Sequence, residues 1–441
     1  MGSRRDFIKK TTLGAGGLAL GLSAKSYGRV LGANDRIRVA FMGCGRRVGA
    51  YYESLEDPYN TELAYICDVK KSQRDKVAED LKDQLSYTPQ MTDDIREVLD
   101  DPEVDAIFNA TPDHWHAPGA LMAMKAGKHV YVEKPCSHNP QESELLIAAQ
   151  EKFGKVVQMG NQQRSAAHTT EIIDEIHNGR IGDVYKAVAF YSNRRGEVTN
   201  RVPQDPPSDL NWELFQGPAP REAYHHNTWD YNWHWYGWKW GTAETGNNAT
   251  HEVDIARWAL QVDYPEQVYV DAAKQHFPDD GWTMYDTMYA TFEFPDGKVI
   301  NWDGKSRNGL NTYGAGRGTI IYGTEGSVFV NRSVYRLYDR DGELVREQSS
   351  GGSEQGTALG GGGSMSTQHV VNFLDTIRGT AEQQNSPIDE GAKSVHMCHL
   401  ANIAYRVNKP LETDPSTGRI YDREAMGLWG REYEPGWEPK L

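Results

Sequence analysis

Ile37–Met42 is a compact run of β-branched and apolar residues, and Gly43-Cys44-Gly45 breaks it before an amphipathic stretch begins. No other feature narrows the fold as much. A run this apolar, ended by glycine, reads as a strand buried on both faces, as parallel sheets require. The pattern then repeats. Thr61–Cys67, Ala106–Asn109, His129–Val132 and Val156–Met159 are further runs, with helical patterns such as Gln73–Leu81, Ile95–Leu99 and Ala117–Ala126 between them. Asn139-Pro140 offers a capping amide followed by proline at the first helical position. Strands alternating with helices at this spacing predict a doubly wound parallel sheet of Rossmann type over residues 36–158.

Beyond Gly160 the rhythm changes. Val184–Tyr191, Glu266–Ala272, Met288–Phe294 and Thr319–Tyr322 alternate as longer strands, and Pro295-Asp296-Gly297 predicts a hairpin joining Met288–Phe294 to Lys298–Trp302. Residues 159–441 are therefore expected to form an α+β domain with a large, mostly antiparallel open sheet. Ser349–Ser366 is rich in glycine and serine and reads as a surface loop. Helical patterns follow at Thr367–Ile377 and Ala392–Arg406.

The glycine turn stands where a pyrophosphate would sit, because glycines admit close backbone approach and a helix start offers unpaired N–H groups. The run Gly43-Cys44-Gly45-Arg46-Arg47-Val48-Gly49 is one residue longer than GxGxxG. Asp68 ends the second strand, where a carboxylate accepts hydrogen bonds from an adenosine ribose and repels a 2′-phosphate. NAD is favoured over NADP.

The formal charge of −15 over 441 residues disfavours nucleic acid or an anionic membrane as partner. Cys44, Cys67, Cys136 and Cys398 are scattered without CxxC spacing, which reads as free buried thiols acquired in a reducing compartment. The N-terminus adds a different signal. Arg4-Arg5 precedes an uncharged run, Thr11–Ala24, too short and glycine-rich to span a bilayer. Residues 1–33 read as a twin-arginine export signal, which implies a periplasmic or otherwise exported protein with no membrane span in the mature chain. That route carries folded proteins, which suits unpaired cysteines and a cofactor bound before export.

Three more segments carry chemistry: Ala110-Thr111-Pro112-Asp113-His114-Trp115-His116, Glu133-Lys134-Pro135, and Asn247-Asn248-Ala249-Thr250-His251-Glu252-Val253-Asp254. With the glycine turn and the middle segment Asn211–Pro220, they resemble the Gfo/Idh/MocA oxidoreductases from Arg36 to about Arg406. The resemblance implies that Lys134 lies between nicotinamide and a substrate hydroxyl, and that His251 is acid/base on that hydroxyl. The usual aspartate four residues before the histidine is here Asn247, which orients without stabilising imidazolium; Asn248, Glu244 or Lys134 can share that role. The expected cofactor wall comprises Gly43, Gly45, Arg46, Arg47, Asp68, Thr111, Pro112, His114, His116, Glu133, Lys134 and Asn161. Arg164, Trp235, Lys239, Trp240 and Asn248 are the expected substrate contacts.

Five tryptophans lie within Trp229–Trp240, interleaved with Asp, Asn, His and Lys. Such a run is either a stacking platform for sugar C–H faces or the packing of an interface. His114-x-His116 lacks a third ligand, so no metal is expected. The expected reaction is hydride transfer from a secondary alcohol of a sugar or polyol to a retained NAD. The alternative is an NAD-dependent glycoside hydrolase or lyase working through a transient 3-keto sugar, and a catalytically silent nucleotide-binding subunit is a third reading. By resemblance, a homodimer or homotetramer is expected.

Overall fold

The computed structural model describes residues 36–226, 228–349 and 364–441. The expected export signal and most of the glycine- and serine-rich segment lie outside these residues.

The first sheet has six parallel strands in the order β3-β2-β1-β4-β5-β6. These are β1 (Ile37–Met42), β2 (Thr61–Cys67), β3 (Gln90–Thr92), β4 (Ala106–Asn109), β5 (His129–Val132) and β6 (Val157–Met159). Helices α1 (Lys71–Leu81), α2 (Ile95–Asp100), α3 (Asp113–Lys125) and α4 (Pro140–Phe153) connect them. Asn139 caps α4 as its sequence implies, accepting from Glu142 N–H at 3.1 Å. The strand order reverses between β1 and β4, which opens a crevice at their carboxyl ends. Met42 pairs with Asn109 there, so the glycine turn abuts Ala110 and Thr111.

The turn does not open an α-helix. Val48–Leu55 is a 3-10 helix, and its buried Val48, Tyr51 and Ser54 recur every three residues, the repeat of that tighter coil. Tyr51 meets Phe108 at 5.0 Å and Tyr131 at 5.6 Å in the sheet core.

The second sheet has nine strands in the order β14-β13-β12-β11-β7-β10-β9-β8-β15. They are β7 (Val184–Ser192), β8 (Gln267–Ala273), β9 (Thr287–Glu293), β10 (Val299–Lys305), β11 (Arg317–Gly323), β12 (Gly326–Val330), β13 (Val334–Asp339), β14 (Leu344–Ser349) and β15 (Leu411–Glu412). Only β7 and β10 run parallel. The expected hairpin joins β9 to β10, with Gly297 at φ +78. Met288, Ala290 and Phe292 alternate inward with Ile300 and Trp302 into one core. Helices α5 (Ala167–His177), α6 (Thr250–Leu260), α7 (Ser364–Arg378) and α8 (Ile388–Val407) complete the fold. Helix α7 buries Val370, Phe373 and Leu374 against Phe41, Phe108 and Tyr131, so the chain after 159 returns to build part of the first core.

Candidate active site

The carboxyl ends of β1, β2, β4 and β5 line one side of a cleft of about 1110 Å³. Residues after β7, the aromatic segment, the start of α6 and the start of β11 line the other.

At the nucleotide end, Gly43 has φ +87, and a Cβ there would stand 2.7 Å from Thr111 N and 2.8 Å from the Ala110 carbonyl. Only glycine fits. Asp68 accepts from the Cys44 N–H at 2.6 Å and the Lys70 N–H at 2.7 Å. Burial pushes its carboxyl up, and these backbone donors limit the rise. Each oxygen retains a lone pair for a ribose hydroxyl.

Glu133 and Arg47, both expected on the cofactor, hold each other. Arg47 Nε donates to Glu133 Oε1 at 2.8 Å, and Tyr51 and Gln162 donate to the same oxygen at 3.0 and 3.1 Å. Burial alone would raise the Glu133 carboxyl; the Arg47 guanidinium overrides it and holds it below its usual range. His116 Nδ1 faces the Pro135 carbonyl at 2.6 Å. Arg47 Nη2 and His116 Nε2 are buried without partners on this wall. Unpaired polar groups in a cleft of this size, beside the glycine turn and Asp68, fit a dinucleotide.

At the other end, Lys134 Nζ donates to the Asn247 carbonyl at 2.7 Å and to Asn247 Oδ1 at 3.3 Å. Burial lowers its ammonium to about 8, with Asp113 and Glu133 opposing the fall. His251 lines the cleft from the opposite side, at the start of α6. Burial holds its imidazole well below the usual value, and Arg332, Lys134 and Arg317 push the same way, so the ring is a neutral base.

Asn247 does not serve His251 as the sequence spacing implies. Thr245–Ala249 is a turn of π-helix, which breaks the four-residue face relation on which that expectation rests. Its side chain reaches Lys134, Glu244 and Tyr231 instead. Asn248 donates to Glu244 at 2.7 Å, and Arg195 stands 3.3 Å from the same carboxylate.

Gly43, Gly45, Arg46, Arg47, Asp68, Thr111, Pro112, His116, Glu133, Lys134, Asn247, Asn248 and His251 all line the cleft. Six expected residues do not. His114 points away, to the Phe215 carbonyl at 2.8 Å, and burial lowers it to about 3. Asn161, two residues past the end of β6, is buried. Arg164 is consumed by a two-pronged pair with Asp254 at 2.7 and 2.9 Å. Trp235 stacks on Trp282 at 4.0 Å, and Trp240 is fully buried beside Phe215 and Trp212. Lys239 pairs with Glu222 at 2.9 Å and faces a different cavity. These indoles obey the packing alternative, because large apolar faces gain most when wholly removed from water.

The cleft also contains residues not expected in it: Arg195, Tyr231, His234, Arg317 and Arg332. Tyr231, held at φ +61, lies inside the aromatic run and lays its ring 4.8 Å from Arg46. Its setting in that run was the one signal available. Arg195 and Arg317 follow or begin strands with nothing in the sequence to set them apart.

Fold and cleft together define a dinucleotide-binding oxidoreductase. Residues 37–161 match the oxidoreductase family with NAD-binding Rossmann fold, and residues 220–329 match the GFO/IDH/MocA C-terminal domain. The chain belongs to the Gfo/Idh/MocA oxidoreductase family and binds NAD. It is similar to the uncharacterized oxidoreductase YrbE of Bacillus subtilis, at 25% identity over 68% of this chain and 74% of that one. It is 27% identical to a glycosyl hydrolase family 109 protein of Shewanella and 29% identical to the D-glucoside 3-dehydrogenase of Escherichia coli, each over 36% of this chain. Those matches span 35% and 44% of the relatives' own lengths. A levoglucosan dehydrogenase solved with NADH and levoglucosan shares the fold, with a TM-score of 0.63 at 18% identity, over 86% of this chain and 99% of that one.

Proposed function

We propose that this protein oxidises a secondary hydroxyl of a sugar or sugar-like polyol, with residues 36–158 holding NAD and the rest of the chain holding the substrate. The observation that carries the reading is that Lys134 and neutral His251 both line the cleft that also holds the glycine turn and Asp68. The levoglucosan and D-glucoside enzymes point to the same substrate class. Bound NAD supplies the hydride acceptor. Lys134, anchored by Asn247, directs a remaining N–H at the substrate oxygen and stabilises its developing negative charge. His251 takes the hydroxyl proton, and burial keeps it unprotonated and ready to do so. Asp113, and next Glu133, which stays ionised against Arg47, oppose the effect of burial on the Lys134 ammonium.

The test is absorbance at 340 nm on mixing with NAD and a panel of sugars. A band is expected for the native chain, with Lys134→Ala lowering kcat by roughly 10²–10⁴-fold. Equal rates in the variant defeat the assignment. The likeness to glycosyl hydrolase family 109 motivates a second reading, in which the sugar is oxidised, its aglycone eliminated, water added and the ketone reduced again. A chromogenic glycoside releases its aglycone only in that case.

Two further properties belong to this reading. Export through the twin-arginine pathway rests on Arg4-Arg5 and the run after them, and implies NAD carried out with the protein. Self-association uses the outer face of the nine-stranded sheet, where neighbouring strands β8 and β9 leave Tyr269 and Tyr289 39% and 47% exposed. Sedimentation of the purified chain at the mass of one copy would remove that proposal.

A further inference from the structure

A second cavity, of about 520 Å³, shares no lining residue with the cleft. Its walls come from the start of α4, the end of α8, the segment holding Trp238 and Lys239, and the C-terminal stretch around Arg431. Three residues on these walls carry buried side-chain nitrogens without a partner. Asn139 is 5% exposed; its Oδ1 caps α4, and its Nδ2 is buried without a partner. Arg431 spends Nε on Glu142 at 2.9 Å and Nη2 on the His114 carbonyl at 2.7 Å, which leaves Nη1 buried and unpartnered. His138 Nε2 is in the same state. Burial, with Arg431 next, holds that imidazole well below its usual value, so the ring is neutral and can present an N–H.

The charges are unequal as well. Three cations line the cavity. Lys239 is matched by Glu222 and Arg431 by Glu142, each at 2.8–2.9 Å. Arg406 has no carboxylate partner among the described residues and lies 5.1 Å over the face of Trp238. Glu432, the acidic residue on the wall, is exposed. Buried donors left unpaired cost free energy unless something accepts from them, and a positive surplus selects the sign of what that is.

We propose that this cavity is a second ligand site, separate from the catalytic cleft, for a small metabolite bearing an oxyanion, carboxylate or phosphate. The oxyanion accepts from Asn139 Nδ2, Arg431 Nη1 and His138 Nε2, Arg406 supplies the balancing charge, and the Trp238 face covers the body of the ligand. The site does not depend on the redox reading, because its lining residues and those of the cleft are different.

The experiment uses the full-length protein. Inorganic phosphate and malonate are titrated separately while the thermal midpoint is followed, against sodium chloride at matched ionic strength. At least one anion is expected to raise the midpoint saturably. Phosphate alone doing so identifies a phosphate ligand, and malonate alone a carboxylate. Asn139→Ala and Arg406→Gln are each expected to move the half-saturating concentration up by about tenfold, the loss of one charge-assisted contact. NADH binding, read by fluorescence, stays at the native value in Arg406→Gln. Because Asn139 also caps a helix, Arg406→Gln on the exposed rim decides the matter if the other variant does not fold. The proposal is overturned if neither anion exceeds the chloride control, or if Arg406→Gln titrates like the native chain.

Discussion

Lys134 and Asn247 form a two-point contact in which one residue offers both its carbonyl and its amide oxygen to a single ammonium. With two of the three N–H groups directed in this way, the third has a defined direction, and the useful form of the lysine is the charged one. That gives a pH dependence with a definite sign. The group titrates at about 8, so the ammonium is present below that pH and lost above it. His251 is neutral on both sides of this point and contributes no opposing limb near it. Turnover is therefore expected to fall as pH rises through about 8. Asn247→Asp puts a carboxylate where the amide oxygen stands 3.3 Å from Nζ, which favours the charged form and raises its pKa by roughly 1 unit or more. The falling limb of the kcat/KM profile should move to higher pH accordingly. A limb that stays in place means that another group sets it.

Elements were legible where burial leaves a simple pattern. β1, β2, β4 and β5 are buried on both faces, and their limits match the apolar runs. β9 and β10 alternate cleanly because one face meets the core. β3 and β14 are mostly exposed, with no apolar period to read; ladder bonds hold β3 to β2 and β14 to β13. The site divides along similar lines. Residues fixed by strand ends, such as Asp68, Glu133 and Lys134, were legible because the sheet decides where they point. The aromatic run was recognised as important, yet Trp229 and Trp233 line the cleft while Trp235 and Trp240 are buried elsewhere. Composition identifies such a segment, but irregular backbone decides which indole faces the ligand. Arg164 misled for another reason: a guanidinium suits a sugar hydroxyl and a carboxylate equally, and Asp254 is nearer.

On the scale of the whole molecule, the aromatic segment acts as a strap across the two sheets' shared cleft. Asp230 meets Arg46 of the glycine turn at 3.2 Å, Tyr231 covers that arginine, and Trp229 lies 4.3 Å from Lys70 just past Asp68. A dinucleotide held between the turn and Asp68 would lie against these contacts, which line the same cleft, and its departure would require that they part. The ion pair is exposed and weak, but together with the cation–π contacts it opposes opening by about 1–2 kcal/mol. Dissociation needs the strap open and is slowed accordingly. Protein purified without added nucleotide should therefore release NAD or NADH when denatured, identified by mass. Replacing Trp229 and Asp230 together by alanine leaves the glycine turn and Asp68 intact, and should speed NADH release in stopped-flow displacement by roughly tenfold. No nucleotide in the denatured native chain, or equal release rates in the two proteins, would mean that the strap does not retain the cofactor, and export with NAD bound would lose its physical basis.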